Sequence, residues 1–587
     1  MKKYTLFIVN FLIIFVLSLH LFAQELPQGY ENYIDSIMKD WNVQGCSVAI
    51  VKNSKMIYSK GFGYRDVQNK LPVTPQTIFA IGSCTKAFTS AAACILVDQG
   101  KLDLDKPVIN YIPEFKMYDD YVTGHITERD LMCHRSGLPR HDLAWYGADD
   151  ISRKEMVEKL RYLEPNHGFR EVWQYQNGMF MAAGYLIEQI SNTSWEDFVK
   201  SNILVPLGMT STNFSIEESQ KSSDYSLPYG EQNFKLKQLP FRPIKAMGPA
   251  GSINSNVIDM ANWVIMQLNL GKFNDKQIVS QSSLMQTQTP QMVEPGGITD
   301  EIFYSSYGLG WMITSYRGHL RVMHGGNIDG FSADVSLFPK DSLGIVILTN
   351  MNGTQFTGVM RNYTVDKLLG LTDIDWNARL LEGRTNMMKT LKEQKETIDP
   401  NKVEGTEPSH PLEDYAGEYE NPAYGTMEIV YSDGKLKMHF HTFDLDLTHY
   451  HYDVFEAQWI EESQKVKITF SYNEKGKINK ISAPLEDGIK DIEFVKIVEV
   501  KKVEGIDLNK YTGDYEIAGM KLNVTLRGDK LILTVPGQPD YELVPTGINE
   551  FNFKNLDGYS VKFNENSGKI IEMILNQPNG VFTAKKK

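Results

Sequence analysis

The last third of the chain contains the same short pattern twice. LEDYAGEYE begins at Leu412 and LNKYTGDYE begins at Leu508, so two tyrosines, a glycine and a glutamate recur at one spacing. Each copy continues with segments in which apolar and polar residues alternate between Gly, Asn and Asp. Period-two alternation is typical of half-buried strands, and the breaks are typical of hairpin turns. The duplication predicts two small all-β, barrel-like domains.

The chain has 587 residues, too many for a single hydrophobic core. The texture of the sequence changes after Asp375, where a polar stretch typical of a helical connector and a linker begins. We expect five segments: a signal peptide (1–24), a large α+β domain (25–375), a connector and linker (376–411), β module 1 (412–500) and β module 2 (501–587).

The N-terminus reads MKKYTLFIVNFLIIFVLSLHLFAQ. Two lysines precede an apolar stretch, and Ala23 offers a small residue for cleavage, which is typical of a secretory signal peptide. An uncleaved membrane anchor is the alternative, but Asn10 and His20 interrupt the apolar stretch. We expect an exported protein, periplasmic or extracellular, with no stable membrane insertion after cleavage.

The charge and the cysteine content of the chain each exclude one class of function. The net charge is -13 and no basic block occurs before the C-terminal tail, which argues against nucleic-acid binding. The four cysteines have no C-x-x-C spacing and are too few for a disulfide framework. We expect buried free thiols at these four positions: Cys46, Cys84, Cys94 and Cys133.

The large domain has strand-like segments at both of its ends. Residues 45–66 predict two strands around a turn, and residues 318–350 predict three more. A largely helical middle separates them. This order predicts an α+β fold with an antiparallel sheet assembled from distant segments.

One helix in this domain carries an unusual pair. Ser83 is followed three residues later by Lys86, and both precede an apolar run that predicts a buried helix. The i, i+3 spacing puts the two side chains on one face. A serine hydroxyl becomes a good nucleophile only when a base takes its proton, and a desolvated lysine can be that base. An S-x-x-K match alone is weak, because a solvated lysine on a helix flank explains it equally well.

Two further motifs follow. WQYQNGMF contains Tyr175 and Asn177 as Y-x-N, and VMHGGNIDGF contains His324, Gly325 and Gly326 as H-G-G. Taken singly, each has an ordinary structural explanation: a packed tyrosine, a polar strand residue or a bend in a strand. Their joint occurrence with the Ser-Lys pair indicates a catalytic site.

These three motifs, in this order, resemble those of the serine β-lactamase and penicillin-binding-protein superfamily. The nearest branch is the class C β-lactamase-like hydrolases, peptidase family S12, which includes D-aminopeptidases, D-Ala-D-Ala carboxypeptidases and esterases. HRSGLPRHD, PLGM, GPAGSINSNVIDMANW and YGLGW support the likeness, which covers about residues 30–370. The resemblance implies a transpeptidase-like fold for the large domain.

The resemblance also implies roles for individual residues. Ser83 would attack the carbonyl carbon while Lys86 and Tyr175 move the proton, with Tyr175 ionised or readily ionised beside the lysine. Asn177 would orient the substrate and the lysine. His324 would line the opposite side of the pocket with Gly325 and Gly326, and the backbone amides of Ser83 and Asn327 would form the oxyanion hole.

The third motif departs from that of β-lactamases, where a lysine and a hydroxyl residue help to hold the carboxylate of the antibiotic. Here the site has a histidine and a glycine instead, so we expect weak or absent β-lactamase activity. The H-G-G motif has the form H-x-G, and both this form and the two β modules are similar to those of D-aminopeptidases.

The resulting prediction is a serine hydrolase that acts through an acyl-enzyme on small peptides, amides or esters, with D-residue peptides such as cell-wall fragments favoured. The alternatives are a carboxylesterase of broad specificity and a slowly deacylating penicillin-binding sensor whose β modules bind the wall. This chemistry requires no cofactor and no metal.

Two H-x-H pairs stand apart from this site, in β module 1. Residues i and i+2 of a strand point to the same face, so paired strands could bring four imidazoles together around zinc or copper. A histidine-rich surface of a sheet is the simpler interpretation, and we expect no metal site at these positions: His439, His441, His449 and His451.

Overall fold

A computed structural model describes residues 26–587, except 149, 233–234, 297, 397–398, 459–464, 498–506, 555 and 557. The expected signal peptide at residues 1–24 lies outside the described residues. The chain forms two compact units. Among the described residues, the first contains residues 26–400 together with the segment Glu486–Ile489, and the second contains the other residues from Asn401 onward.

The first unit is built on an antiparallel sheet whose strands come from both ends of the unit, as the sequence predicts. In chain order, the strands of this unit are β1 (Gly45–Lys52), β2 (Lys55–Asp66), β3 (Leu71–Pro72), β4 (Phe79–Ala80), β5 (Tyr229–Gln232), β6 (Lys235–Gln238), β7 (Asn254–Ser255), β8 (Lys272–Phe273), β9 (Lys276–Gln277), β10 (Met292–Val293), β11 (Ser305–Tyr307), β12 (Met312–Tyr316), β13 (His319–Ile328), β14 (Phe331–Phe338) and β15 (Leu343–Thr349). Three pairs of short strands form separate two-stranded ribbons: β4 with β7, β5 with β6, and β8 with β9. The order in the nine-stranded sheet is β10-β11-β12-β13-β14-β15-β1-β2-β3.

Most of the helices lie between β3 and β10 in the chain. In chain order, the helices of this unit are α1 (Tyr30–Asp40), α2 (Thr85–Asp98), α3 (Asp120–His125), α4 (Glu128–Met132), α5 (Arg153–Lys159), α6 (Asn177–Ser191), α7 (Trp195–Val199), α8 (Ile216–Lys221), α9 (Gly248–Gly251), α10 (Val257–Leu268), α11 (Gln281–Thr287), α12 (Phe356–Leu369) and α13 (Trp376–Glu396). Helix α1 precedes β1, and α12 and α13 follow β15. The expected α+β class is therefore confirmed.

Strand β15 shows why the sheet needs helices on both faces. All seven of its residues are buried, as expected for the apolar run LGIVILT. Gly344 leaves room for Val264 of α10, since a Cβ there would lie 2.2 Å from that side chain. The next residue, Ile345, belongs to a core that also contains Val359 of α12. Because successive side chains of a strand point to opposite faces, α10 and α12 cover opposite sides of the sheet.

The second unit contains two closed barrels of eight antiparallel strands each, as the repeat predicts. The first comprises β16 (Gly417–Asn421), β17 (Gly425–Ser432), β18 (Lys435–Phe440), β19 (Phe443–His451), β20 (Val454–Gln458), β21 (Lys465–Tyr472), β22 (Ile478–Ala483) and β23 (Ile492–Lys496), preceded by α14 (Leu412–Tyr415). The second comprises β24 (Gly513–Ile517), β25 (Met520–Arg527), β26 (Lys530–Thr534), β27 (Tyr541–Gly547), β28 (Glu550–Phe553), β29 (Ser560–Asn566), β30 (Lys569–Gln577) and β31 (Gly580–Lys586).

The repeated tyrosines have a structural role in each barrel. The hydroxyl of Tyr419 donates to the carbonyl oxygen of Tyr415 at 2.8 Å, and that of Tyr515 donates to Tyr511 at 2.7 Å. All four rings are fully buried. Burying a tyrosine requires a partner for its hydroxyl, and the repeat supplies the same partner twice.

The four cysteines are buried free thiols, which confirms that expectation. Among the residues that the structure describes, no helix is both long and apolar enough to span a membrane.

A carboxyl group with no partner is buried in the first unit. Glu128, in the first turn of α4, is fully buried, and neither of its carboxylate oxygens has a hydrogen-bond partner among the described residues. Burial disfavours the charged form and raises the pKa of Glu128 well above its ordinary value. The folded chain therefore holds this proton at a pH where the unfolded chain has released it.

This burial predicts that the substitution Glu128→Gln stabilises the first unit increasingly as the pH rises. Above the unfolded pKa near 4.5, the wild-type protein must take up a proton to fold, whereas glutamine does not. The free energy of unfolding of the variant minus that of the wild type should grow by about 1.4 kcal/mol per pH unit while the buried carboxyl stays neutral. Urea unfolding followed by tryptophan fluorescence reports this unit, because only Trp459 of the eight tryptophans follows Pro400. A pH-independent difference, equal to that of the exposed control Glu158→Gln, would contradict this.

Candidate active site

Ser83 stands on a tight turn between a short strand and a buried helix. Strand β4 pairs with β7 and leads into the 3-10 turn Gly82–Cys84, which runs directly into α2. Gly82 has φ +49°, and a Cβ on it would lie 2.8 Å from the backbone nitrogen of Asn327. The glycine therefore lets the serine turn touch strand β13.

Lys86 points from α2 into the interior and is fully buried. Its Nζ lies 3.0 Å from Oγ of Ser83, 2.8 Å from Oδ1 of Asn177 and 2.8 Å from the carbonyl oxygen of Ala250. Burial, with the nearby positive charge of Arg140, holds the pKa of Lys86 well below its ordinary value. The amine is thus driven toward its neutral form.

The neutral amine fits its three partners without a surplus hydrogen. A neutral amine has two N–H groups and one lone pair. The amide oxygen of Asn177 and the carbonyl oxygen of Ala250 can only accept, so they take both N–H groups. The lone pair is left for the hydroxyl of Ser83, which makes Lys86 a base for that proton.

Tyr175 contacts the same serine. Its hydroxyl donates to Oγ of Ser83 at 2.7 Å. Burial raises the pKa of Tyr175 well above its ordinary value, although the hydrogen bond to Ser83 opposes this rise. The expectation of an ionised or readily ionised tyrosine is therefore wrong, because desolvation outweighs both the hydrogen bond to Ser83 and the positive charge of Arg140.

Asn177 begins α6 and links the lysine to a residue that the sequence did not single out. Its Oδ1 accepts from Lys86, and its Nδ2 donates to Oδ1 of Asp142 at 3.0 Å. Asp142 thereby fixes which way the amide faces. It lies in HRSGLPRHD, which supported the resemblance, but spacing alone did not connect it to residue 177.

His324 lies on β13 and is also fixed by a partner that the sequence did not identify. Its Nδ1 lies 2.6 Å from the carbonyl oxygen of Gly325, which can only accept, so Nδ1 carries the proton. Its Nε2 then accepts from the hydroxyl of Tyr307, 2.8 Å away. Burial, together with Lys86, lowers the pKa of His324 to about 3, so the ring is neutral. Tyr307 belongs to the YGLGW stretch.

The two glycines of the third motif differ in importance. A Cβ on Gly326 would lie 1.9 Å from the carbonyl oxygen of Ile81 and 3.2 Å from the backbone nitrogen of Ser83, whereas Gly325 has only a distant neighbour at 3.8 Å. Gly326 is therefore required for β13 to approach the serine turn. This approach brings together the segments that carry the two predicted oxyanion amides, those of Ser83 and Asn327.

Among the described residues, the side chains of the two H-x-H pairs are not gathered into one cluster. His441 lies beyond the end of β18, with φ +54°, so it does not share the strand face of His439. Within the described part of the chain, no group of three or more His, Cys, Asp or Glu side chains could hold a metal ion. Other protein groups contact the remaining three histidines: Asp444 contacts His439, the carbonyl of Tyr452 contacts His449, and the backbone nitrogen of Val403 contacts His451.

Comparison with known families supports the assignment that this geometry suggests. The Beta-lactamase family model matches residues 30–369, and a domain of unknown function, DUF3471, matches residues 401–496. The second match covers the first barrel.

Individual relatives agree with this. The chain is 31% identical over 435 residues to the Unguisins hydrolase ungD' of Aspergillus campestris, covering 70% of this chain and 78% of that protein. It is 30% identical over 341 residues to Protein flp of Staphylococcus aureus, covering 56% and 64%. Among solved structures, the octameric penicillin-binding protein homologue from Pyrococcus abyssi has a TM-score of 0.52 at 24% identity, covering 80% of this chain and 99% of that one, a likeness of fold.

The family model spans more than half of the 587 residues and includes all three motifs of the site. The chain therefore belongs to the β-lactamase family, and its site is of the serine-hydrolase type.

Proposed function

We propose that the protein is an exported serine hydrolase of the S12 type, which cleaves peptide, amide or ester bonds through an acyl-enzyme on Ser83. The observation that carries this proposal is the 3.0 Å contact between Nζ of Lys86 and Oγ of Ser83, in a place where burial lowers the pKa of the lysine. A buried base next to a serine at the start of a helix is the arrangement that nucleophilic catalysis needs.

In the first step Lys86 takes the proton of Ser83 while Oγ attacks the carbonyl carbon. The backbone amides of Ser83 and Asn327 stabilise the negative oxygen that forms. Tyr175 is still protonated at this point and gives its proton to the leaving nitrogen or oxygen. The proton on Lys86 then passes to Tyr175, which completes the acylation step. In the second step water attacks the acyl-enzyme, with Lys86 again as the base, and the acyl group is released.

Small peptides, and D-residue peptides such as cell-wall fragments, are the substrates that we favour. One relative is named as a hydrolase, which supports hydrolysis by this site. The neutral His324 provides no charge for the carboxylate of a β-lactam, which supports weak or absent β-lactamase activity. Export rests on the lysines and the apolar stretch of residues 1–24.

The first test is labelling with a fluorophosphonate, followed by intact mass and peptide mapping. We expect one adduct, on Ser83, that is absent from Ser83→Ala and strongly reduced in Lys86→Ala, because the hydroxyl loses its base. Ser90→Ala is the matched control, since it removes a buried serine hydroxyl from α2, two turns after Ser83, and should label normally. A folded wild-type protein without an adduct would overturn the proposal.

Competition with the label separates the candidate activities. Short peptides, alkyl esters and penicillin are each added before the probe, and product release is measured alongside. Steady turnover of peptides supports the peptidase, and turnover of esters alone supports the carboxylesterase. Long-lasting protection by penicillin after one equivalent of product supports the slowly deacylating sensor.

The lowered pKa of Lys86 predicts the pH dependence of labelling. Only the neutral amine can take the serine proton, so the rate constant should rise as the lysine deprotonates and level off well below its ordinary pKa of 10.5. Measuring the rate from about pH 5 to about pH 9 covers this range. Lys86→Arg stays charged throughout and should label slowly at every pH. A wild-type rate that still climbs tenfold per unit at the alkaline end would contradict a neutral resting lysine.

A further inference from the structure

The guanidinium of Arg140, which is permanently positive, packs against the ring of Tyr175. The Cζ atom of Arg140 lies 5.0 Å from the centre of the Tyr175 ring. The arginine side chain is 52% exposed, so a small molecule can reach it from solvent. Arg140 lies in the stretch after HRSGLP, for which the resemblance implied no role.

Only part of the guanidinium of Arg140 is hydrogen-bonded within the protein. Its Nε and Nη2 atoms both lie 2.6 Å from Oδ2 of Asp142. The other oxygen of Asp142 accepts from Asn177 and Trp145. Nη1 of Arg140 has no hydrogen-bond partner among the described residues, so one end of the planar group can bind a further acceptor. Carboxylates match that end well, because two parallel N–H groups can meet two oxygens.

The backbone around Arg140 is held in place. Its N–H donates to the carboxylate of Glu486 at 3.2 Å, and the N–H of His141 donates to the same carboxylate at 2.5 Å. Glu486 belongs to the same compact unit. The ring of His141 in turn lies 2.9 Å from the carbonyl oxygen of Glu164. A guanidinium on an anchored backbone loses less freedom when a ligand binds.

Its position indicates which part of a substrate it would meet. Arg140 packs on Tyr175, the group that protonates the leaving atom in the proposed mechanism. The predicted oxyanion amide of Asn327 comes instead from β13, where the neutral His324 supplies no charge. Arg242, another arginine of the unit, is paired with Asp329 and largely buried.

We propose that Arg140 binds a carboxylate on the leaving group, so that preferred substrates release a fragment with a free acid next to the scissile bond. A C-terminal amino acid and a hydroxy acid are such fragments. This inference rests on the proposed function, since it takes Tyr175 as the proton donor to the leaving group.

The test compares two esters that differ only in charge, 3-carboxyphenyl acetate and 3-carbamoylphenyl acetate. The ratio of their kcat/KM values is the readout, because kcat/KM includes the acylation step, in which the leaving group is still present. The variants are Arg140→Gln, Arg140→Lys and a matched control, Arg379→Gln. Arg379 is 50% exposed and paired with Glu301, so its replacement removes a similar charge elsewhere in the unit.

We expect the wild-type protein and Arg379→Gln to prefer the carboxylate ester by about tenfold, the effect of a charge-assisted hydrogen bond at a half-exposed position. Arg140→Gln should lower that ratio to about one, because any effect through the pKa of Lys86 acts on both esters and cancels in the ratio. Arg140→Lys should restore part of the preference. The dipeptide N-acetyl-D-Ala-D-Ala and its C-terminal amide should show the same pattern.

Two results would overturn this inference while leaving the proposed function intact. One is equal use of both esters by a wild-type protein that hydrolyses them and labels at Ser83. The other is an equal loss for both esters in Arg140→Gln with a shifted pH profile, which would mean that Arg140 acts only through Lys86. A wild-type protein that neither labels nor hydrolyses either ester would refute the proposed function itself.

Discussion

The burial of one amine organises the first unit. Lys86 is fully enclosed, and an enclosed ammonium is costly unless its partners compensate for the lost water. Here the partners come from three separate places: Ser83 in the turn before α2, Asn177 at the start of α6, and the carbonyl of Ala250 in α9. All three segments must pack against α2 to supply them, and their packing excludes the water that would keep the lysine charged. The contacts that pack the core around Lys86 therefore also lower its pKa, which makes it a base for Ser83.

A second constraint is how closely strand β13 approaches the serine turn. Gly82 and Gly326 face each other across this contact, and a Cβ on either would meet backbone atoms within 3 Å. The contact joins the sheet to the helical region at the place where the predicted oxyanion amides meet. Because burial lowers the pKa of His324 to about 3, the third motif presents a neutral ring to the site. The arginine on Tyr175 lies on the helical side instead.

Much of this could be predicted from local pattern. The i, i+3 spacing of Ser83 and Lys86, the alternation in the repeat and the strand pairs at both ends of the first unit are short-range features, and the structure contains all of them. The partners of the site could not be predicted, since Asp142 is 35 residues from Asn177 and Tyr307 is 17 residues from His324. The H-x-H pairs illustrate the same limit, because the strand ends at Phe440 and so His441 does not lie on it with His439.

The sequence by itself determined the family motifs, the order of the domains and the residue types at the site. Only the tertiary structure decided their protonation, because a pKa depends on how much water and which charges surround a group after folding. The resemblance suggested that Tyr175 is ionised or readily ionised beside the lysine, but burial raises its pKa and favours the protonated form. For Lys86 the apolar run indicated a desolvated base, and the packed fold supplies the burial that lowers its pKa. Desolvation is a property of the packed fold and cannot be read from the spacing of residues along the chain.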